Sequence, residues 1–171
     1  MKAPKRAPFS AATSGEALYV RLRGLGSMHN APTLEAFADR ALENGVCQLV
    51  FDFQRCTGVD STFMGLLLDL SNRLRERAKG RPLAGVVLIN VDEHALKQLS
   101  SVGVDAFVTI KPGRTPIPPG LKLIEVDSVE ASTEERLKLM VRVHKELVAS
   151  DARNKAKFGA FLEGIIAELN S

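Results

Sequence analysis

A chain of 171 residues, 45% hydrophobic and 25% charged, has the length and composition of one globular domain, with or without an appendage. A formal net charge of +3, no Trp, one Tyr and acids interleaved among the bases exclude the one-sided basic, aromatic surface of a nucleic-acid binder. No stretch reaches membrane-spanning length, no apolar run follows the basic N-terminus, and two cysteines make neither a disulfide framework nor a zinc signature, so the expected compartment is the cytoplasm.

Lys2, Lys5 and Arg6 fall in a tail, 1–7, expected to be flexible. Pro8–Thr13 is a weak strand candidate. Ala17–Arg23 is a better one, alternating Leu18, Val20 and Leu22 against Tyr19, Arg21 and Arg23. Gly15 between them suggests the turn of an antiparallel hairpin, and Gly24-Leu25-Gly26-Ser27 reads as the end of the second strand. A helix is expected from Ala31 to Asn44, capped by Asn30, with Pro32 tolerated in its first turn and Gly45 stopping it.

Cys47–Phe53 reads as a buried strand, with Cys47 a small buried hydrophobe. It leads into Asp60-Ser61-Thr62-Phe63-Met64-Gly65, the start of a helix expected to reach Lys79 before Gly80. Leu83–Asn90 predicts a second buried strand, Asp92–Ser101 a short helix and Phe107–Ile110 a last short strand. Alternating strands and helices imply an α/β layer with a mostly parallel sheet. Four prolines and two glycines between Lys111 and Gly120 make an irregular linker, and Leu121–Val126 reads as a short extended piece. Two helical patterns follow, at 131–149 and 152–169. The first has a stripe of Leu137, Met140, Val141, His144, Leu147 and Val148, and the second one of Phe158, Phe161, Leu162, Ile165, Ile166 and Leu169. They are expected to pair as a hairpin, on the main domain or on another chain, with His144 a packed histidine.

Chemistry concentrates at the Asp60-Ser61 junction. The N-terminus of a helix has free N–H groups and favours negative charge, so Ser61 there can cap the helix or carry a phosphate. Nucleophilic use of Ser61 needs a base, and nothing in the sequence places one of the three histidines nearby. No dinucleotide fingerprint, phosphate-binding loop, Gly-x-Ser-x-Gly elbow or metal spacing is present, so no enzyme and no cofactor is expected. Phe63, Leu66 and Leu70 form a second apolar stripe beside Met64, Leu67, Leu68 and Leu74. It is open to three readings: ordinary core, cover by the C-terminal hairpin, or a partner surface.

Strand, short loop, Asp60-Ser61-Thr62-Phe63-Met64-Gly65 and a Leu-rich helix resemble the STAS domain of bacterial anti-sigma factor antagonists, whose pattern is commonly Asp-Ser-Ser-Gly-Leu-Gly. Arg21–Ser27 followed by Thr33-Leu34 resembles the family's second strand and first helix. The resemblance spans about residues 8–110. It implies a STAS-like α/β fold, a mixed, mostly parallel sheet with helices packed on it, at 1–112. Residues 113–171 then form a proline-rich linker and a two-helix extension. It also implies exchange between partners. Domains of that family bind an anti-sigma factor that is also a Ser/Thr kinase, phosphorylation abolishes binding, and a phosphatase restores it. Position by position, the resemblance implies Ser61 as the phosphoacceptor, Thr62 as a second candidate, and Asp60, Ser61, Thr62, Phe63, Ser27 and Leu66 as the partner-binding set. Phe63 replaces the family's Gly and is expected to crowd the acceptor, and Ser27 stands where relatives often carry Asp. The alternative is a scaffold module that forms a homodimer through its C-terminal helices.

Overall fold

The computed structural model describes residues 7–171; the basic tail expected at 1–7 lies outside them but for its last residue. Four parallel strands lie side by side: β2 (Ala17–Gly26), β3 (Gln48–Val59), β4 (Gly85–Ile89) and β5 (Thr109–Ile110). Every connection between them steps the same way, so right-handed crossovers put α1 (Ala31–Glu43), α2 (Ser61–Arg77) and α3 (Glu93–Ser101) on one face. β1 (Phe9–Ser14) pairs antiparallel with β2, as the hairpin at Gly15 predicts, and β6 (Ile124–Glu125) adds to its outer edge. The sheet order is β5-β4-β3-β2-β1-β6.

The alternation along the strands decides the two faces. Leu18, Val20, Leu22, Leu49, Phe51, Val86 and Leu88 are buried against the helices. Tyr19, Arg21, Arg23 and Asp52 look the other way, where the proline-rich segment crosses the sheet; Asn90 holds that segment by two hydrogen bonds to the backbone of Thr115, each 2.8 Å.

The sequence puts the end of β2 at Arg23 and the end of β3 at Phe53. Both strands continue, to Gly26 and Val59, through two register shifts. Gly24, at φ 74, and Gly58, at φ 156, take the backbone values such irregularities require. A sheet ladder can absorb polar and glycine residues that, read locally, look like a loop. The strand expected from Phe107 is shortened by a 3-10 turn over Val104–Ala106, and Leu83 stands exposed before β4 begins at Gly85.

The C-terminal helices α4 (Thr133–Ser150) and α5 (Arg153–Leu169) form the expected hairpin, and α4 lies on α2. The layers are therefore sheet, first helices, then hairpin. α4 starts in a reciprocal capping box between Ser132 and Glu135. Its buried line is Leu139, Met140, Val143, His144 and Leu147; Leu137, Val141 and Val148 are only half-buried. The hairpin is held at its turn by Asn154, fully buried, whose Nδ2 donates to the carbonyls of Leu147 (2.7 Å) and Val102 (2.9 Å). α5 packs on α4 and leaves Phe161 exposed. The segment after Pro112 is no loose connection, since it supplies β6 and the buried Val126.

Candidate functional site

Asp60 is the pivot of the junction. One carboxylate oxygen accepts the N–H of Phe63 (2.9 Å), capping α2, and the other accepts the N–H of Met28 (2.8 Å) from the loop after β2. Its own N–H donates to the carbonyl of Gly26 (2.8 Å). Asp60 therefore clamps the two chain segments on either side of the site. The cap expected of Ser61 belongs to Asp60, and Ser61, as the first helical residue, has its hydroxyl free for another partner.

That partner is His144. Ser61 Oγ and His144 Nε2 lie 2.9 Å apart. His144 Nδ1 is 2.6 Å from the carbonyl of Met140, an acceptor only, so Nδ1 carries the proton and Nε2 accepts from the Ser61 hydroxyl. Burial lowers the pKa of this imidazole, which favours the neutral form that the arrangement needs. Phe158 and Phe161 close over the ring with centroids 5.3 and 5.0 Å away. A histidine does stand beside Ser61, against the sequence expectation, because α4 folds back from more than eighty residues along the chain. The pair has hydrogen-bond geometry for proton transfer.

One turn further along α2, Gly65 faces Val143. A Cβ on Gly65 would stand 2.8 Å from Val143 Cβ and 2.9 Å from its carbonyl oxygen. Only glycine lets α4 approach this closely. One turn beyond, Asp69 faces Glu146. Ser61, half-buried, and Gly65 and Asp69, both buried, are spaced four apart and form the line of α2 that faces α4. Arg142 of α4 pairs with Glu35 of α1, and Arg73 pairs with Asp39 (2.6 Å) and Asp69 (3.0 Å).

A family model described as the STAS domain matches residues 9–114. The chain belongs to the STAS domain family. Among curated proteins none matches it. Three solved structures share the fold. The anti-sigma factor antagonist SpoIIAA in its unphosphorylated form is 20% identical, with TM-score 0.52, covering 60% of this chain and 87% of that one. An anti-sigma factor antagonist of Mycobacterium paratuberculosis is 18% identical, with TM-score 0.50 and coverage of 66% and 92%. The Thermotoga maritima protein tm1081 is 14% identical, with TM-score 0.53 and coverage of 60% and 84%. The STAS match ends before β6 and the hairpin, so the helix that covers Ser61 lies outside the shared domain.

Within this STAS domain the other predicted residues fall in distinct places. Thr62 is 2% exposed and Phe63 and Leu66 are fully buried. The Phe63 ring points into the core, stacked on Phe9 at 6.3 Å and against Gly26, rather than over Ser61. It does not crowd the acceptor. Of the three readings left open for the stripe Phe63, Leu66 and Leu70, core is the observed one. Ser27 is near the site but turned to its own loop, where its hydroxyl accepts the N–H of His29 (3.2 Å). Asn30, expected to cap α1, makes no side-chain cap bond; its amide pins the same loop through Ser27 N and Leu25 O.

The α2–α4 contact titrates in two opposite senses. Glu146 is pushed up to about 7 by burial, with Asp69 acting in the same direction and Arg142 and Arg73 opposing it. Its stabilising contribution is full below the unfolded value near 4.5 and is lost as pH rises through about 7. His144 behaves oppositely: its contribution is present above about 6.5 and lost as pH falls through its lowered pKa. Glu146→Gln is therefore expected to remove the alkaline-side loss. After discounting for solvent at its outer edge, the effect is about 1 kcal/mol, or about 2–4 °C less fall in melting temperature between about pH 5 and pH 8. Thermal melts of the two proteins across that range check it, and identical slopes would refute it.

Proposed function

We propose that this STAS protein is a non-enzymatic cytoplasmic regulator of the anti-sigma factor antagonist type. It binds an anti-sigma factor that is also a Ser/Thr kinase, it is switched off by phosphorylation at Ser61, and a phosphatase restores it. The observation that carries the reading is Ser61 at the first position of α2, directly behind the Asp60 cap, in a STAS domain. A phosphoryl group there adds about −1.5 to −2 charges at a helix N-terminus that tolerates them. Thr62, with its hydroxyl sealed in, ranks second as acceptor, and Asp60 with the 26–28 loop forms the rim a partner would touch.

The hairpin adds a layer of control to this reading. Ser61 donates to a buried histidine, and a phosphoryl group cannot share that space. The covered state and the phosphorylated state therefore exclude each other. The Ser61 hydroxyl must leave His144 before a kinase can use it, and a phosphoryl group then opposes the return of α4. Incubating the full chain with its cognate kinase and ATP, then mapping phosphate by mass spectrometry, tests the switch. Modification at Ser61 and at least about tenfold weaker partner capture by Ser61→Asp are expected. No phosphate at Ser61 or Thr62, together with unchanged capture, would end this reading.

The scaffold alternative keeps only α5 for a contact between copies, because α4 buries its apolar side on α2 of the same chain. Phe161, 45% exposed, is the feature that supports it. A concentration series in light scattering decides: a dimer lost in Phe161→Asp favours the scaffold, and a constant monomer removes it.

A further inference from the structure

The face of the sheet turned away from α1–α3 holds a second prepared site, which uses neither Ser61 nor α4. Ser10 of β1, Arg21 and Arg23 of β2 and Asp52 of β3 line one side of it, and the proline-rich segment with Arg114 closes the other. Between them lies a cavity of about 510 Å³, within the size range of small-molecule sites. Its roof is fixed. Asn90 leaves β4 with φ 57, a left-handed value that Asn tolerates, and its amide is fully engaged. Nδ2 donates to Asp52 Oδ1 (2.9 Å) and to the Thr115 carbonyl, and Oδ1 accepts the Thr115 N–H.

The charges around the cavity do not cancel. Three guanidiniums, of Arg21, Arg23 and Arg114, face two carboxylates, of Asp52 and Glu125. Asp52 is saturated: one oxygen pairs with Arg21 Nε at 3.0 Å, and the other accepts from Asn90 and from the Gln54 N–H. Glu125 reaches only one end of Arg23, at 3.3 Å. Arg23 Nε is buried with no hydrogen-bond partner among the described residues, and so is the hydroxyl of Ser10, a residue only 2% exposed. Arg114 stands exposed at the rim and makes no ion pair among the described residues. Folded proteins satisfy nearly all buried polar groups, and an orphaned donor is costly. Two such donors and an unpaired guanidinium around one cavity describe a site built for an acceptor that the chain does not itself supply.

We propose that this cavity binds a small, multiply charged oxyanion, a phosphate ester or a polycarboxylate. Arg23 and Arg114 would supply charge and fork geometry, and Ser10 a neutral donor. Ile117 and Pro116 of the overlying segment would cover the organic part. The site lies across the sheet from the helices that carry Ser61.

Calorimetric titration of the full chain with inorganic phosphate, pyrophosphate and citrate, at matched ionic strength, tests the proposal and separates the two sources of oxyanion. Saturable binding of at least one probe is expected, weakened by about tenfold or more in the double variant Arg23→Gln, Arg114→Gln. Ser10→Ala gives an independent reading. It should raise the melting temperature of the ligand-free protein, because an unsatisfied hydroxyl leaves, and at the same time weaken the probe. No saturable binding of any probe would overturn the proposal. So would equal binding by the double variant, or a Ser10→Ala protein that is less stable and binds unchanged.

Discussion

Val143→Asp is expected to raise the labelling rate of a thiol at position 61 by about 100-fold. Val143 is fully buried, with its Cβ turned to Gly65. A carboxylate there would lie in the contact that already holds Asp69 and Glu146, where Arg142 and Arg73 are already engaged with Glu35, Asp39 and Asp69. Burying it unpaired costs several kcal/mol, and even about 3 kcal/mol multiplies the open population by about 100. The cost is expected to fall first on hairpin docking, because α4 packs on α2 and α5 rather than on the strands of the sheet. The measurement uses the full chain with Ser61→Cys, an aromatic disulfide reagent, and Val or Asp at position 143. Cys47 and Cys56 are buried and serve as the slow internal reference. Equal rates in the two backgrounds would mean that α4 is no cover, and the regulatory layer of the proposed switch would fall while Ser61 itself stayed a candidate acceptor.

The junction was legible in the sequence because its determinants are local. A capping acid, a small hydroxyl residue and a change of hydrophobic period from strand to helix all fall within Val59–Leu68. The order of strands and helices followed from the same local signals. What the local pattern could not give was the partner of Ser61. His144 reads as one more member of an apolar stripe, and the contact joins segments that only the folded chain brings together. The orientation of Phe63 was hidden for a related reason. α2 is buried nearly all round, so its sequence does not show which side faces the sheet and which the hairpin. The sequence does hold one signal of the contact with α4. Gly65 interrupts a Leu-rich helix, where glycine costs about 1 kcal/mol relative to alanine, and such a residue marks a close approach by another element.

Gly65→Ala turns that signal into a test in which the sign of the effect carries the information. In an isolated helix the substitution stabilises by about 1 kcal/mol. In the full chain the new methyl would meet Val143, side chain and carbonyl, at distances that no rotamer change relieves. α4 must shift or leave, at a net cost of about 2 kcal/mol, or about 4–8 °C in melting temperature. The same substitution in the Val143→Asp background meets a helix already displaced. There the helix-propensity gain stands alone, and Gly65→Ala should be neutral to stabilising. The coupling between the two positions is therefore on the order of 2–3 kcal/mol, large for a pair on separate elements and readable in a four-protein melting series. Stabilisation by Gly65→Ala in both backgrounds would show that α4 does not press on α2. A cost of the same size in both would place the clash inside the STAS domain instead. Only reversal of the sign ties the missing side chain at 65 to the helix that covers Ser61.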